Sequence, residues 1–139
     1  MSEPFKTQRR IEFRDTDAAG IMHFSVFFTY MEQAEHELLR SLGLSVMLAD
    51  GDATIGWPRV SAKCDYRGAV RFEELIDIEV SVAHLGEKSV RYHHVFKVDD
   101  RTVAAGEMTT VCCRISKDHA LCSITIPEYI RTQLMKHLQ

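Results

Sequence analysis

Residues 13–44 read FRDTDAAGIMHFSVFFTYMEQAEHELLRSLGL, and this stretch joins a polar turn to the most apolar helical pattern of the chain. Apolar residues recur at spacings of three and four from Phe27 to Leu42, which predicts a helix over residues 24–42. Additional aromatic side chains widen this stripe well beyond one narrow face, so the helix must be covered on most sides. Gly43 follows it and suits the left-handed conformation that commonly ends a helix.

The turn before this helix contains Asp15 and Asp17, followed by Gly20, which resembles the start of a calcium-binding loop. Such a loop also needs oxygen ligands at its fifth and twelfth positions. Counted from Asp15, those positions are Ala19 and Val26, whose side chains carry no oxygen. The sequence therefore argues against calcium and leaves two interpretations of the carboxylates, as a helix cap or as a catalytic group. A cap stands immediately before its helix, whereas Asp17 precedes the predicted start by several residues.

Period-two alternation dominates the remainder of the chain. It predicts strands over residues 5–14, 57–67, 75–85, 88–98 and 102–116. We expect a short helical turn around 45–50, and a last strand or tail over 122–126 before a short helix. Small residues on one face of the strand at 102–116 suggest the close approach of a packed element or a ligand. The order predicts an α+β fold in which one long central helix is wrapped by a curved antiparallel sheet of five to six strands.

Length and composition limit the function. The 139 residues predict a single domain over 1–139, and the net charge of −3 argues against a generic binder of nucleic acid or anionic membranes. The N-terminus lacks the apolar core of a signal peptide, and no run of about 18 apolar residues predicts a membrane span. The four cysteines and seven histidines show no metal-ligand spacing, so we expect reduced thiols, no metal and a cytoplasmic protein.

The stretch at 13–44 resembles the hotdog fold, in its 4-hydroxybenzoyl-CoA thioesterase-like branch. Weaker matches follow in the same order, at YRGAVRFEELIDIEVSV (66–82), VAAGEMTTVCCRI (103–115) and IPEYIRTQL (126–134). The resemblance implies a hydrolase that cleaves acyl-CoA thioesters with no metal and no bound cofactor. It also implies a homodimer with active sites at the subunit interface, often doubled to a homotetramer. In this family the second Asp of the turn is the catalytic carboxylate, which here is Asp17.

Thioester hydrolysis needs a nucleophile or an activated water on one side of the carbonyl and hydrogen-bond donors where the oxyanion develops. Asp17 can either attack the carbonyl or act as a general base on water. The start of the helix offers free backbone N–H groups, so we assign the oxyanion hole to the backbone around His23 and Phe24. We expect Asp15 to bond the backbone of the turn. Gly20 suits a left-handed turn or a close approach of substrate.

Other candidate residues have weaker support. The His23 ring can donate to the thioester carbonyl or position Asp17, or it can simply pack on its neighbours. Glu32 lies on the predicted helix and is either a catalytic base, as in one hotdog branch, or a structural residue. Ser61 is expected to reach the reacting end across the dimer. Basic or hydroxyl residues expected near the anionic phosphates of coenzyme A are Lys63, Arg67, Lys88, Ser89, Arg91, Arg114 and Lys117.

Two other functions compete with hydrolysis. A hotdog hydratase or dehydratase pairs a His with a carboxylate, and both residue types occur in the turn. A non-catalytic module would bind acyl-CoA without turnover. A carboxylate beside helix N–H groups fits hydrolysis better than hydration, and the presence of Asp17 in an intact turn argues against a non-catalytic module.

Overall fold

The computed structural model describes residues 2–139 and has an α+β architecture. Its helices are α1 (Val26–Ser41) and α2 (Glu128–Leu134), with single 3₁₀ turns at Phe13–Asp15 and Met135–His137. Its strands are β1 (Phe5–Arg10), β2 (Leu48–Asp50), β3 (Ala53–Gly56), β4 (Arg59–Tyr66), β5 (Leu75–Leu85), β6 (Ser89–Val98), β7 (Arg101–Val111), β8 (Cys113–Ile115) and β9 (Leu121–Ser123).

Five strands form one antiparallel sheet in the order β1-β5-β6-β7-β4. The inner faces of β5 and β6 carry alternating apolar side chains, among them Ile78, Val80 and Phe96, which have no exposed surface. The apolar stripe of α1, including Met31 and Leu38, belongs to the same buried cluster. The expected arrangement of one helix against a large antiparallel sheet is therefore confirmed, with a helix of 16 residues.

The close approach expected on β7 occurs at Gly106. A side chain there would place its Cβ 2.7 Å from the Met31 sulfur and 2.8 Å from the Lys63 carbonyl oxygen. A Cβ atom cannot lie so close to a sulfur or a carbonyl oxygen, so a glycine is required where α1 packs on the sheet. The small residues of this strand thus accommodate a packed helix.

The short strands β2, β3, β8 and β9 form a second, four-stranded sheet, which the sequence pattern does not predict as a separate sheet. The strand or tail predicted over 122–126 is a strand only as β9, which ends at Ser123. The prediction of a helical turn at 45–50 is wrong, because residues 48–50 pair with residues 53–55 as a hairpin. The predicted strand 102–116 divides at Cys112. Its N–H donates to the Lys88 carbonyl and its own carbonyl accepts from Ile124, so Cys112 leaves the register of β7.

The N-terminal elements are shorter than predicted. β1 ends at Arg10, because Glu12 and Asp15 form reciprocal side-chain-to-backbone hydrogen bonds that start a 3₁₀ turn. Helix α1 begins at Val26, two residues after the predicted start. The chain between these elements is the turn that carries Asp17.

No helix of residues 2–139 is both long and apolar enough to cross a membrane. The same residues contain no cluster of three or more His, Cys, Asp or Glu side chains arranged to hold a metal ion.

Candidate active site

The turn that carries Asp17 is closed by its own backbone. Asp17 N–H donates to the Ile21 carbonyl at 2.9 Å, and Gly20 N–H donates to the Asp17 carbonyl at 2.9 Å. Gly20 adopts φ +79°, a left-handed conformation that L side chains rarely take. No heavy atom lies within 4 Å of where its Cβ would be, so backbone conformation alone accounts for the glycine in this chain.

The Asp17 carboxylate is anchored by one oxygen and open at the other. Its Oδ1 accepts the Ala19 N–H at 2.8 Å, an Asx-type turn bond. Its Oδ2 has no hydrogen-bond partner in the part of the chain that the structure describes. Because Oδ1 is fixed, Oδ2 is held in a defined position and is free of hydrogen bonds, on a residue that is only partly buried.

A cavity of about 150 Å³ lies beside this carboxylate. Apart from Asp17 and the Tyr66 hydroxyl, its lining side chains are apolar, and two of them are phenylalanines. The lining residues are Asp17, Ile21, Met22, Phe24, Phe27, Tyr66, Gly68, Ala69 and Val70. A small apolar space lined by a carboxylate with one unpaired oxygen is suited to a reacting acyl group.

Asp15 has the structural role expected for it. Its Oδ2 accepts the Glu12 N–H at 2.8 Å and the Tyr30 hydroxyl at 2.6 Å, while its carbonyl accepts the His23 N–H at 2.8 Å. The residue is 8% exposed. Burial and the hydrogen bond to Asp15 both raise the pKa of the Tyr30 phenol, so Tyr30 stays a donor. Asp15 therefore fixes the path of the chain from β1 to α1.

At the entry to α1 the backbone N–H of Phe24 is free. His23 N–H is engaged by Asp15, and the His23 carbonyl accepts from Val26 N–H at 3.0 Å. Across residues 2–139, by contrast, Phe24 N–H has no acceptor. The free N–H groups at a helix start carry partial positive charge. Of the two N–H groups expected to form an oxyanion hole, only that of Phe24 is available.

The His23 side chain is occupied within the helix entry. Ser25 N–H donates to its Nδ1 at 3.2 Å, and the Ser25 hydroxyl lies 2.8 Å from the same atom. The ring stacks on Phe24 with centroids 4.6 Å apart, and the Phe24 side chain is 61% exposed. Since Nδ1 accepts, the neutral ring carries its proton on Nε2. No hydrogen bond joins this ring to Asp17 within the described residues.

The other predicted binding residues lie away from Asp17 in the same chain. Ser61 is an exposed residue of the edge strand β4, opposite Thr109. Lys88 and Ser89 lie in the hairpin that follows β5. The Asp17 turn lies at the other end of β5, because Ile21 forms a β-bridge with Arg71, which precedes that strand. The 11 residues of β5 separate the two ends by roughly 30 Å.

Arg91 follows that hairpin on β6, with its Nε 3.8 Å from a Glu107 carboxylate oxygen. A single chain thus does not bring the four predicted binding residues, Ser61, Lys88, Ser89 and Arg91, to the Asp17 cavity.

Glu32 lies on an exposed face of α1, 3.5 Å from Arg59. The nearby Glu35 is the buried acid, at 1% exposure, and Arg59 Nη1 donates to it at 2.7 Å. Burial raises the pKa of Glu35, and Arg59 opposes that shift. Sequence reasoning did not single out Glu35, although its position between Met31 and Leu38 on the apolar stripe indicates burial.

Comparison with known proteins shows the class. A family model described as the thioesterase-like superfamily matches residues 11–134. A 1,4-dihydroxy-2-naphthoyl-CoA hydrolase of Synechococcus sp. strain WH7803 is 27% identical over 108 residues, covering 73% of this chain and 71% of the relative.

Solved structures show the same similarity. A gentisyl-coenzyme A thioesterase superposes with a TM-score of 0.79 at 28% identity, covering 94% of this chain and 99% of that one. A mutant 4-hydroxybenzoyl-CoA thioesterase complexed with 4-hydroxybenzoyl-CoA has the same fold, with a TM-score of 0.82 at 18% identity, covering 96% and 99%.

The fold is therefore the hotdog fold expected from the turn and helix of residues 13–44, and its class is that of the thioester hydrolases. The chain belongs to the thioesterase-like superfamily.

Proposed function

We propose that the protein hydrolyses acyl-CoA thioesters to a free acid and coenzyme A, with Asp17 as the catalytic carboxylate and Phe24 N–H as the oxyanion donor. The observation that carries the proposal is that Asp17, with one free carboxylate oxygen, and Phe24, with a free N–H, line the same small cavity. Acyl transfer requires a nucleophile or base and a preorganised hydrogen-bond donor at one site, and this cavity is lined by residues that carry both.

Two routes are compatible with this arrangement. In one, Asp17 Oδ2 attacks the thioester carbonyl, the C–S bond breaks, coenzyme A leaves as a thiolate, and water cleaves the resulting anhydride. In the other, Asp17 takes a proton from a water molecule that attacks the carbonyl directly. In both routes negative charge develops on the carbonyl oxygen, where Phe24 N–H would stabilise it. A thiolate is a good leaving group, so neither route needs a strong general acid.

We infer that the preferred acyl group is aromatic. Two phenylalanine rings, Phe24 and Phe27, line the cavity, and its volume of about 150 Å³ suits a single ring rather than a long chain. The naphthoyl-CoA hydrolase and the gentisyl-CoA thioesterase named above support the same acyl class.

The hydratase alternative is less well supported. It requires a histidine paired with the carboxylate for proton transfer at carbon. His23 instead accepts hydrogen bonds from Ser25 through Nδ1.

We also infer a homodimer, two of which can pair as a homotetramer. β4 is an edge of the five-stranded sheet, and its eight residues leave one row of backbone groups without a partner strand in this chain. Val60 on this strand is 61% exposed in the single chain, and an apolar side chain at this edge would be buried by a partner strand. In such a dimer, the residues Ser61, Lys88, Ser89 and Arg91 of one chain would lie near the Asp17 cavity of the other chain.

Light scattering tests the dimer by comparing wild type with Val60→Lys. We expect wild type to be a dimer or tetramer and Val60→Lys to dissociate more readily, whereas a monomeric wild type would contradict the inference.

Thiol release from a panel of acyl-CoAs tests the activity. Benzoyl-CoA and 4-hydroxybenzoyl-CoA represent aromatic groups, hexanoyl-CoA and palmitoyl-CoA aliphatic chains, and crotonyl-CoA detects hydration by loss of its enoyl absorbance. We expect thiol release with the highest kcat/KM for an aromatic acyl group and no hydration. Hydration without thiol release, or tight binding without turnover, would contradict the proposal.

A further inference from the structure

Tyr66, the last residue of β4, contacts the helix entry across a large separation in sequence. Its hydroxyl donates a hydrogen bond to the Phe24 carbonyl oxygen at 2.8 Å. Tyr66 also lines the cavity that Asp17 and Phe24 share. Sequence reasoning missed this residue, because nothing local at the end of a strand indicates a bond to a helix entry 42 residues away.

The bond completes a set of tethers around the candidate oxyanion donor. The Asp15 carbonyl holds His23 N–H, and Val26 N–H holds the His23 carbonyl, which belongs to the same peptide group as Phe24 N–H. Tyr66 holds the carbonyl on the other side of Phe24. The peptide groups on both sides of Phe24 Cα are thus fixed, and the N–H of Phe24 is left as the free donor between them.

The Tyr66 ring is itself held in place. It packs edge-on against Phe27 at 5.1 Å between centroids, and Phe27 packs the same way against Phe96 at 5.2 Å. Phe27 is 3% exposed and Phe96 is fully buried, so the Tyr66 ring packs against residues of the hydrophobic core. Partial burial and the neighbouring Cys64 thiol raise the pKa of the Tyr66 phenol to about 12, so the hydroxyl stays protonated and able to donate at neutral pH.

We propose that Tyr66 is a positioning residue for thioester hydrolysis, which aims Phe24 N–H at the developing oxyanion by holding the Phe24 carbonyl. The inference rests on the proposed function. The hydroxyl proton is committed to the carbonyl, so Tyr66 acts through the backbone of Phe24 and not on the substrate. A fixed hydrogen-bond donor stabilises the transition state more than the bound substrate, because the carbonyl oxygen carries the most negative charge in the transition state.

The test is Tyr66→Phe, which removes the hydroxyl and keeps the ring against Phe27. We expect kcat for the best aromatic acyl-CoA to fall about tenfold, the scale of one hydrogen bond, while KM changes less than about twofold. Affinity for a non-hydrolysable thioether analogue, which lacks the carbonyl, should stay unchanged. Tyr129→Phe, on the exposed face of α2, is the matched control and should keep the wild-type kcat.

A second variant separates positioning from folding. Tyr66→4-aminophenylalanine keeps a donor on the ring and should recover most of the lost kcat, which a purely structural role of the ring would not predict. Thermal unfolding of each variant should stay within about 3 °C of wild type. An equal loss in KM and analogue affinity, or no rescue, would overturn the proposal.

The outcomes also separate this inference from the function it rests on. If Asp17→Asn loses thiol release while Tyr66→Phe matches wild type, hydrolysis stands and the role of Tyr66 is overturned. If wild type releases no thiol from any acyl-CoA of the panel, the proposed function is overturned and the role of Tyr66 with it.

Discussion

The buried carboxylate of Asp15 accepts a 2.6 Å hydrogen bond from the Tyr30 hydroxyl, and this bond ties the turn that carries Asp17 to the second turn of α1. Asp15 also holds the backbone of Glu12 and His23, on either side of Asp17. The side chain of Asp15 thus holds Glu12 and Tyr30, and its backbone carbonyl holds His23, so one buried residue helps to set the positions of both the Asp17 carboxylate and the Phe24 N–H.

Tyr30→Phe removes one of the two donors to that carboxylate. A hydrogen bond to a charged buried group contributes about 2 kcal/mol, so we expect a loss of that order in the free energy of unfolding. We also expect a lower kcat, because the turn loses a tether. Urea denaturation and thiol release measure the two effects. Tyr129→Phe, at an exposed site, is the control and should change neither the free energy of unfolding nor kcat. A Tyr30→Phe protein as stable and active as wild type would refute this role of Asp15.

Gly20 and Gly43 form a natural matched pair, because their φ angles are +79° and +76° and neither would place a Cβ within 4 Å of another heavy atom. An alanine at either site is forced into a left-handed conformation that costs about 1–2 kcal/mol. We therefore expect similar losses in unfolding free energy for Gly20→Ala and Gly43→Ala.

Activity should separate these two variants. Gly43 follows α1, whereas Gly20 closes the turn around Asp17, so only Gly20→Ala should lose kcat, by about tenfold or more. Equal activity of the two variants would show that the turn conformation does not position the carboxylate.

The buried pair of Glu35 and Arg59 predicts a pH-dependent stability. Arg59→Met leaves the Glu35 carboxylate buried without its partner, a change that costs about 3 kcal/mol at neutral pH. Burial already raises the pKa of Glu35 in the folded state, and removing Arg59 raises it further. The folded state then binds more protons than the unfolded state, so stability increases as the pH falls toward the ordinary pKa of Glu.

We therefore expect the deficit of Arg59→Met relative to wild type to shrink between pH 7 and pH 5 in urea denaturation. The double variant Glu35→Gln/Arg59→Met should lose this pH dependence, since no carboxylate remains to titrate. A deficit that grows on acidification would contradict the assignment of Glu35 as the buried charge.

The sequence predicts the long elements well. Residues 75–85 are predicted as a strand and form β5 with the same bounds, because period-two alternation persists over the whole element and turn residues bound it. The second sheet is missed because its strands have three or four residues, too few for a period to emerge. β1 is overextended because alternation continues past Ile11, where a capping interaction, not a change in pattern, turns the chain.

The site is predictable only in part, because its details depend on long-range contacts. The spacing of the turn and its resemblance to a known family are enough to single out Asp17 and the helix entry. The Asp15 carbonyl accepts a hydrogen bond from His23 N–H, whereas Phe24 N–H remains free, and this difference follows from the folded turn and not from a local sequence pattern. Tyr66 reaches the site from the far end of another element, so its role is visible only in three dimensions.

The central claim is that Asp17 performs the chemistry, and its most direct test is thiol release by Asp17→Asn beside wild type, with the best aromatic acyl-CoA. The amide keeps the shape of the side chain and the acceptor for Ala19 N–H but is neither a nucleophile nor a base. Asp52→Asn, an exposed carboxylate, is the matched control and should be fully active. We predict a fall of at least about a hundredfold in kcat for Asp17→Asn with thermal stability retained. A stable Asp17→Asn protein with wild-type kcat would contradict the account.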